Sequence, residues 1–560
     1  MINQTTQSLT IASIFLLIAA VACDRPDVID DPEVTEPTED ETELAQEVGD
    51  IGEVDFETSC TDEAQEHFEL GLGLLHHMWY ERAREGFQAV VEADEDCAMG
   101  YWGLAMTHYT PLWYPPGAES LEAGTEAVEQ AQQRDATERE QAFIDAIAAF
   151  FEDYDRAAHG DHAQAFREGW SEAHERDPND IEAASFHALG ILATAPAITT
   201  DYDEQRQAGA MMEQVLQQEP RHPAGHHYLL HAYDFPPLAQ QAEEVAREYA
   251  DIAPAVPHAL HMPAHIFVRL GEWDDVIEWD LRAAEVAEEH RVNDQTSMHF
   301  YHSLDYVTFA YLQQGRDDMA EAIAQRFESA ENPELILGAA YPAVAIPARI
   351  AMEQRDWEAA ANLEPLHADA FPWEQWPVTQ LIVHTVRTVG AVYNDDLEQA
   401  QEEFAQIDEL NAAVAGTLDP HWTPHAQVYR DLAEAHITYG QGDVDAAIDR
   451  MELITEFQDS FDKHPTMPGR IIEAGEYLGM MQYTDGQYTA ALQSFENALE
   501  MTPNRFHLHY GAAISAREAD QPEIAERHFR ELLELADPEE VDRPEVEEAQ
   551  QFLEEPRVGL

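Results

Sequence analysis

Similar stretches that recur every 34 residues constrain the fold of this chain more than any other feature. In "YLGMMQYTDGQYTAALQSFENALEMTPN" the recurring residues are Leu478, Gly479, Gly486, Tyr488, Ala491, Phe495, Ala498 and Pro503. This unit starts at Ile472 and the next starts 34 residues later at Phe506; the same spacing separates two N-terminal units, the first of which starts at Ala64. Small residues at matching places in two successive helices let them approach closely, so each unit predicts one antiparallel helix pair.

These positions resemble those of the tetratricopeptide repeat (TPR). A TPR-like pair buries its apolar face only against its neighbours, so the pairs predict one elongated domain rather than several globules. We therefore predict an all-α fold, a right-handed superhelical solenoid of TPR-like antiparallel helix pairs, over residues 59–536. Middle units are predicted to begin near Pro223, Pro257, Tyr301, Tyr341, Leu381 and Val428, and residues 111–220 to form irregular helices.

The first 58 residues predict export and anchoring rather than a folded domain. The apolar run from Leu9 to Val21 suits a signal peptide over residues 1–22, and the sequence around Cys23 resembles the lipidation site of bacterial lipoproteins. The acid-rich stretch 23–58 predicts a disordered tether, and residues 537–560 predict an acidic C-terminal tail. We therefore expect an extracytoplasmic protein of the bacterial cell envelope that meets the membrane only through its lipid anchor.

Two further cysteines, Cys60 and Cys97, lie about one repeat apart. In an oxidising compartment they are predicted to form a disulfide. The alternative is that both are small buried apolar residues.

The chain is acidic along its whole length. Asp and Glu number 112 against 29 Lys and Arg, which gives a formal net charge of −83, and the one lysine is Lys463. Such a surface repels itself in dilute buffer, whereas molar salt screens the repulsion over a few ångströms. The composition therefore predicts adaptation to high salt. A basic stripe for phosphate contacts is absent from the sequence, which argues against a nucleic-acid partner.

Histidine and aspartate recur at the positions of the first helix of each pair that face the concave groove in TPR arrays. Three consecutive units, starting at Pro223, Pro257 and Tyr301, supply them. Six of twelve groove positions hold histidine, although 27 histidines in 560 residues predict fewer than one. The candidate groove residues are His227, His231, Asp234, His258, His261, His265, His302 and Asp305, and a secondary pair is Glu473 and Glu476.

Three interpretations of this cluster stay open. His227 and His231 have the spacing of two ligands of a divalent metal such as Zn²⁺, with Asp234 or Asp305 as ligand or orienting partner. The same groove suits a protein, a peptide or a small polar ligand without metal. In the third interpretation the histidines only stabilise the superhelix by hydrogen bonds. Pro263 interrupts the hydrogen bonding of its helix, which is predicted either to kink or to begin there.

Five segments in order resemble a family of bacterial extracytoplasmic TPR proteins whose activity is not established. They are "CAMGYWGLAM", "HHYLLHAYDFPPLA", "PHALHMPAHIFVRLGEW", "FYHSLDYVTFAYLQQGR" and "KHPTMPG", and the resemblance covers residues 58–536. It implies an all-α fold and bacterial origin, and it supplies no catalytic residue. Ala264 stands where the family pattern has serine.

The sequence therefore predicts a membrane-anchored binding or scaffold protein whose concave groove of His and Asp binds a ligand or partner. The alternative is a metal-dependent hydrolase or a metal-handling protein that uses the same residues. Catalytic residues and the identity of the metal are not predicted.

The charge generates a first testable prediction. In dilute buffer the helical circular dichroism signal should fall, and concentrated KCl or NaCl should restore it, because salt screens the repulsion between surface carboxylates. A signal that does not change with salt would contradict the adaptation to high salt.

Overall fold

The chain is described by a computed structural model, which covers residues 43–554 except 197, 199, 200, 292, 418 and 420. The predicted signal peptide, Cys23 and the first part of the tether lie outside the described residues. The chain divides into two units, Met1–Gln46 and Glu47–Leu560. The regular secondary structure of the described residues consists of helices, which confirms the all-α class.

Twenty-six α-helices follow one another in the described residues. They are α1 (Glu43–Val48), α2 (Asp62–His76), α3 (Tyr80–Ala93), α4 (Ala98–Met106), α5 (Ala118–Gln132), α6 (Glu138–Phe151), α7 (His159–Arg176), α8 (Ile181–Ala193), α9 (Asp203–Gln218), α10 (Pro223–Tyr233), α11 (Glu243–Ile252), α12 (Pro257–Leu270), α13 (Trp273–Glu289), α14 (Met298–Gln313), α15 (Asp317–Ser329), α16 (Leu337–Glu353), α17 (Trp357–Ala361), α18 (Pro377–Tyr393), α19 (Leu397–Ala415), α20 (Trp422–Gly440), α21 (Val444–Gln458), α22 (Ala474–Thr484), α23 (Tyr488–Met501), α24 (Phe506–Glu518), α25 (Pro522–Leu535) and α26 (Pro544–Glu554). In this part of the chain, no helix combines the length and the apolar composition needed to cross a bilayer.

From α2 to α25 the helices form consecutive TPR-like pairs. The first helix of a pair packs against its own partner and, in most of the array, against the first helix of the next pair. Pro223, Pro257 and Phe506 are the first residues of α10, α12 and α24, as the sequence period predicts. Proline suits the first turn of a helix because its missing N–H has no intrahelical partner there. The predicted solenoid of helix pairs is confirmed.

The pairs are also regular within residues 111–220, where irregular helices were expected. The helices α6 and α7 form one pair and α8 and α9 form the next. The first helices of these pairs start at Glu138 and Ile181, more than 34 residues apart, because α7 is 18 residues long and a connection with a short 3-10 helix, Arg156–Ala158, separates it from α6. The longer helix and connection, rather than any loss of pairing, hide the period.

The two ends of the solenoid differ from the predicted boundaries. Residues 47–58, predicted as tether, belong to the compact unit, and Val48 and Phe56 in this stretch are fully buried. In the predicted tail, α26 buries Val546 and Ala549 against the preceding helices. Isolated apolar residues within acid-rich stretches pack here, and average composition does not reveal them.

Contacts between distant units close the array on itself. Helix α2 contacts α10, and α14 contacts α24. The indole Nε1 of Trp273 donates to the carbonyl oxygen of Asn504 at 2.7 Å. Gly271, in the bend between α12 and α13, has a φ of +70°, and a Cβ there would lie 2.8 Å from the carbonyl oxygen of Pro503. The bend of "RLGEW" therefore requires glycine both for its conformation and for this contact.

The segment 459–473, between α21 and α22, crosses the middle of the array. The hydroxyl of Tyr306 on α14 donates to the carbonyl oxygen of Met467 at 3.2 Å. The guanidinium of Arg349 on α16 donates to the carbonyl oxygen of Gly469 at 2.8 Å. The segment thus lies against α14, which carries the predicted groove residues His302 and Asp305, and against the neighbouring α16.

Cys60 and Cys97 form a disulfide, with their Cα atoms 5.1 Å apart. Cys60 lies just before α2 and Cys97 just before α4, so the bond ties the first helix pair to the second.

We expect the double variant Cys60→Ser, Cys97→Ser to unfold more easily than the unsubstituted protein. The bond spans 37 residues. Without it the unfolded chain gains conformational entropy, which lowers the free energy of unfolding by about 3–4 kcal/mol for a loop of that size. Urea denaturation in high salt measures the difference. The control is reductant, which should lower the stability of the unsubstituted protein and leave the variant unchanged; equal stability of the two proteins would contradict the prediction.

Candidate metal centre

The structure brings the six predicted histidines together. They lie on the first helices of three consecutive pairs, α10, α12 and α14, which are neighbours in the array. The ring centroids of His227 and His258 are 4.9 Å apart and those of His261 and His302 are 4.5 Å apart. The sequence prediction that three units direct their histidines to one place therefore agrees with the structure.

The histidines form two groups with converging nitrogens. The first histidine group consists of His227, His231 and His258, and the second consists of His261, His265 and His302. In each group, one nitrogen from each ring lies within 4.8 Å of the other two. The groups adjoin, with the ring centroids of His231 and His265 6.3 Å apart.

Backbone contact orients the first histidine group. The Nδ1–H of His227 donates to the carbonyl oxygen of His76 at 2.6 Å. A carbonyl only accepts, so Nε2 of neutral His227 carries a lone pair. That Nε2 lies 3.1 Å from Nε2 of His231. A tetrahedral zinc ion bound to both would hold them roughly 3.3 Å apart.

His258 completes the first group and is the least satisfied of the six histidines. It is 6% exposed, and neither ring nitrogen has a hydrogen-bond partner within the described residues. A buried polar group without a partner costs about 1–3 kcal/mol. An ion shared with His227 and His231 would relieve this cost at one nitrogen.

Buried carboxylates orient the second histidine group. Nδ1 of His265 lies 2.8 Å from Oδ2 of Asp234, and Nδ1 of His261 lies 2.6 Å from Oδ1 of Asp280. The two Nε2 atoms face each other at 3.0 Å. Carboxylates that hold Nδ1 while Nε2 points at a common position are the usual second-sphere arrangement of metal-binding histidines.

The protonation of these two carboxylates differs. Burial raises the pKa of Asp234, but Arg269, Lys463 and His265 lower it more, to well below its usual value. Asp234 is therefore ionised, His265 donates through Nδ1, and Nε2 of His265 carries a lone pair. Burial raises the pKa of Asp280 well above its usual value. A cation bound to His261 would favour the ionised form of Asp280.

Asp234 also joins the centre to the segment 459–473. Nε of Arg269 donates to Oδ1 of Asp234 at 2.7 Å, and Nζ of Lys463 donates to Oδ2 at 3.1 Å. Burial lowers the pKa of Lys463 to about 8, and Asp234 opposes this shift. The one lysine of the chain thus lies next to the second histidine group.

The six histidines face a covered interior rather than an open groove. His227, His258, His261 and His265 are buried, and His231 and His302 are half-buried. Trp113 covers one side, with its ring 5.3 Å from that of His258, and Tyr306 and the segment 459–473 cover another. The exposure expected of groove residues is therefore not observed, because connecting segments of the chain occupy that side.

The helix α12 runs without a break through Pro263. It starts at Pro257 and ends at Leu270, so it does not begin at Pro263 as one of the two predicted alternatives required. Proline removes only the hydrogen bond to the carbonyl of Ala259. His261 and His265 consequently stay on one face of the helix with their rings 4.8 Å apart.

Three predicted acidic residues lie outside the centre. Asp305 is fully buried and pairs with Arg349, whose Nε is 2.8 Å from Oδ1. Glu476 accepts from Arg355 at 2.6 Å, and Glu473 accepts from Arg470 at 3.3 Å. These carboxylates are neutralised by arginines, so the roles predicted for Asp305 as ligand or base and for Glu473 and Glu476 as a secondary groove are not supported.

Sequence reasoning missed several residues of the centre. Asp280 lies on α13, the second helix of its pair, and groove positions were counted only on first helices. Arg269 and Tyr306 lie one turn beyond His265 and His302, which the helical period could have indicated. Lys463 comes from the segment 459–473, and its being the single lysine was the signal available in the sequence.

Two other sets of histidines contain possible metal ligands. His76 and His222 hold Glu182 between them, with N–O distances of 2.7 and 3.0 Å, and Nδ1 of the buried His222 has no hydrogen-bond partner within the described residues. At the last helix pair, Nδ1 of His509 lies 3.2 Å from Nδ1 of His528 and 3.2 Å from Oε2 of Glu531. Metal analysis of the protein must distinguish these sets from the two histidine groups.

Comparisons with known proteins leave the family of this chain undetermined. No family model matches the sequence, and no curated protein is similar to it. Among solved structures, a chain of the APC/C hetero-tetramer Cut9–Hcn1 aligns with 10% identity over 89% of this chain and 97% of its own length, at a TM-score of 0.27. The TPR domain of P58(IPK) aligns with 12% identity over 88% of this chain and 98% of its own length, at a TM-score of 0.20. At such low TM-scores these likenesses carry no argument; the helix pairs themselves define the fold.

Metal-free protein should lose stability as the pH falls from about 6.5 towards 3. Burial lowers the pKa of His231, His261 and His265 to about 3, whereas unfolded histidine titrates near 6.5. Between these values the unfolded chain binds more protons than the folded chain. The free energy of unfolding therefore decreases as the pH falls, by about 2 kcal/mol per histidine at pH 5. Denaturation midpoints measured from pH 7 to 4 in the presence of chelator test this. The variant His261→Gln, His265→Gln should show a shallower decline, and an identical slope would contradict the assignment.

Proposed function

We propose that the two histidine groups form a centre for two transition-metal ions and that the protein is a metal-dependent hydrolase. The observation that carries the proposal is the convergence of three imidazoles in each group, with Nδ1 of His227 and His265 committed as donors and both nitrogens of His258 unpartnered. The two Nδ1 donations leave lone pairs on Nε2 of His227 and of His265, and within each group one nitrogen from each ring lies within 4.8 Å of the other two.

The chemistry of the ligands limits which metal ions fit the centre. Neutral imidazoles suit Zn²⁺, Cu²⁺ and Ni²⁺, whereas Mg²⁺ and Ca²⁺ prefer oxygen ligands. The carboxylates near the second group contact Nδ1 atoms of His261 and His265, which supports roles in the second sphere. Among these ions we propose Zn²⁺, because it has no redox chemistry and therefore needs no electron donor or acceptor.

Hydrolysis is favoured by the number of ligands. Three protein ligands per ion leave one coordination position for water, as in catalytic zinc sites. A bound zinc ion lowers the pKa of that water to about 7 and so supplies hydroxide near neutral pH. Asp280 and Asp234 would orient His261 and His265, and Tyr306, whose hydroxyl lies 3.2 Å from Nε2 of His265, would border the same position.

Metal handling is the second candidate. His231 and His302, one in each group, are half-buried, so each group has one ligand near the surface through which an ion can enter or leave. The interpretation as a groove for a protein, a peptide or a small polar ligand has less support, since four of the six histidines are buried.

The cellular setting completes the proposal. A lipid anchor at Cys23 would hold the solenoid outside the cytoplasm of a bacterium, where its faces are available to protein partners. The disulfide between Cys60 and Cys97 suits such an oxidising compartment. The net charge of −83 suits high salt.

Elemental analysis tests the centre. We expect protein purified in high salt and loaded with Zn²⁺ to hold two ions that the variant His227→Ala, His261→Ala lacks, because the variant loses one ligand from each group. The matched control is His67→Ala, His384→Ala, since neither residue belongs to a group of converging ligands. Equal metal content in all three folded proteins would contradict the proposal.

Hydrolysis of activated esters by the loaded protein separates the two candidate functions. Activity that requires metal and disappears in the variant supports the hydrolase. Two bound ions that exchange readily with a chelator, without hydrolysis of any ester tried, support metal handling.

The second sphere gives a finer prediction. The variant Asp280→Asn should bind Zn²⁺ at the second group about 10- to 100-fold more weakly, because the amide orients and polarises His261 less well than the carboxylate does. The control is Asp275→Asn on the same helix, where the carboxylate pairs with Arg247 at 3.1 Å. Competition with a chromophoric chelator measures both affinities, and equal affinities would exclude a second-sphere role for Asp280.

A further inference from the structure

A cavity of about 30 Å³ lies beside the metal centre, between α12, α14 and the segment 459–473. Its charged lining consists of Arg269, Lys463, Arg470 and Arg505, with Asp462 as the one acid. Four of the 29 basic residues therefore line a single cavity in a chain with a net charge of −83. None of the six histidines lines it.

Lys463 distinguishes this cavity from the other ion pairs of the molecule. Everywhere else in the sequence the basic residue is arginine. Arginine presents a planar fork that fits a carboxylate, whereas the ammonium of lysine is a compact charge with three donor hydrogens. Lys463 is buried, and within the described residues its one hydrogen-bond acceptor is Asp234, at 3.1 Å. Donor capacity of the ammonium therefore remains unused.

Two of the arginines also carry unused donors. Arg505 is 2% exposed and donates through Nε to Gln313 and through Nη2 to Glu353, but its Nη1 has no partner among the described residues. Arg470 is buried and donates through Nη2 to two carbonyl oxygens, whereas its Nε has no partner in the part of the chain that the structure describes. Buried donors of this kind are normally satisfied by an acceptor.

Arg269 has a different role, because each of its three nitrogens has a hydrogen-bond partner within the described residues. Its Nε and Nη2 bind Asp234, and Nη1 and Nη2 bind Asp462 at 2.8 Å each. It neutralises both acids near the cavity. Trp273 and Phe309 form an apolar wall of the cavity. A ligand here would contact the charged side chains on one side and these two rings on the other.

We propose that this cavity binds a small oxyanion, either phosphate or a carboxylate, whose oxygens accept hydrogen bonds from Lys463, Arg470 and Arg505. The small volume admits a head group of a few atoms and excludes an extended chain. Oxyanions match the inventory of unused donors, since their charged oxygens accept several hydrogen bonds. The cavity shares no ligand with the proposed metal centre, although the two adjoin at Asp234, which contacts both Lys463 and His265.

Calorimetric titration of the full-length, metal-loaded protein with inorganic phosphate or acetate at constant KCl concentration tests the proposal. We expect one site that binds at least one of these anions, and a loss of affinity of at least tenfold in Lys463→Met with unchanged Zn²⁺ content. The matched control is Arg527→Met, an exposed arginine that pairs with Glu496 and does not line the cavity. Tighter binding of phosphate or of acetate identifies the class of oxyanion.

Acylation of the single lysine gives a second measurement that needs no variant. An amine-reactive ester should modify Lys463 at least tenfold more slowly when the preferred anion is saturating, and peptide mapping separates this site from the N-terminal amine. Absence of binding by both anions, or equal binding by Lys463→Met, would overturn the proposal. Should Lys463→Met fail to fold, the acylation decides: a rate that neither anion changes would overturn the proposal as well.

Discussion

The buried carboxylate of Asp234 holds together parts of the chain that are distant in sequence. It immediately follows α10 and accepts hydrogen bonds from His265 and Arg269 on α12 and from Lys463 in the segment 459–473. A carboxylate has about four acceptor positions, and these three partners occupy most of them. Replacing it with a neutral apolar residue would leave Lys463 buried without its counter-ion and Arg269 paired with Asp462 alone, and an uncompensated buried charge is among the costlier defects in a protein interior.

The ion pairs of Arg269 with Asp234 and Asp462 also explain why the concave side of the array is covered. A solenoid of helix pairs has a concave side lined by first helices, and an open concave side would leave the histidines in water. Here Arg269 binds Asp462 as well as Asp234, so it fastens the segment 459–473 over α12. Tyr306 and Arg349 then bind the carbonyl oxygens of Met467 and Gly469 in the same segment. Burial of the histidines follows from these contacts rather than from the helix pairs alone.

The sequence predicted the part of the centre that local periodicity controls. Pro223 and Pro257 start α10 and α12, and from those starts the spacing of His227, His231, His258, His261 and His265 places them on one side of the array. Contacts that join distant residues were beyond such reasoning. Asp280 reaches His261 from a second helix, and Lys463 reaches Asp234 across 229 residues of sequence.

The difference between local periodicity and contacts of distant residues also explains which sequence predictions were wrong. Asp305 has the groove spacing, but α14 turns it towards Arg349 on the neighbouring pair, and nothing within its own repeat reveals that partner. Residues 47–58 have the composition of a tether, yet their two buried apolar side chains, Val48 and Phe56, hold the segment against the solenoid. Composition and period describe a segment by itself, whereas tertiary partners decide its burial.

Charge balance links the metal centre and the oxyanion cavity. Six neutral imidazoles add no charge, so two divalent ions would bring four positive charges into a buried region. Asp234 and Asp280 lie next to the second group and would offset part of this charge, although Asp234 already neutralises Arg269 and Lys463. A cation bound to His265 would be attracted to the carboxylate of Asp234, which also pairs with Lys463. Anions, as hydroxide on the ions and as a ligand in the cavity, would supply the remaining negative charge, so occupation of either site should favour occupation of the other by the reciprocity of linked binding.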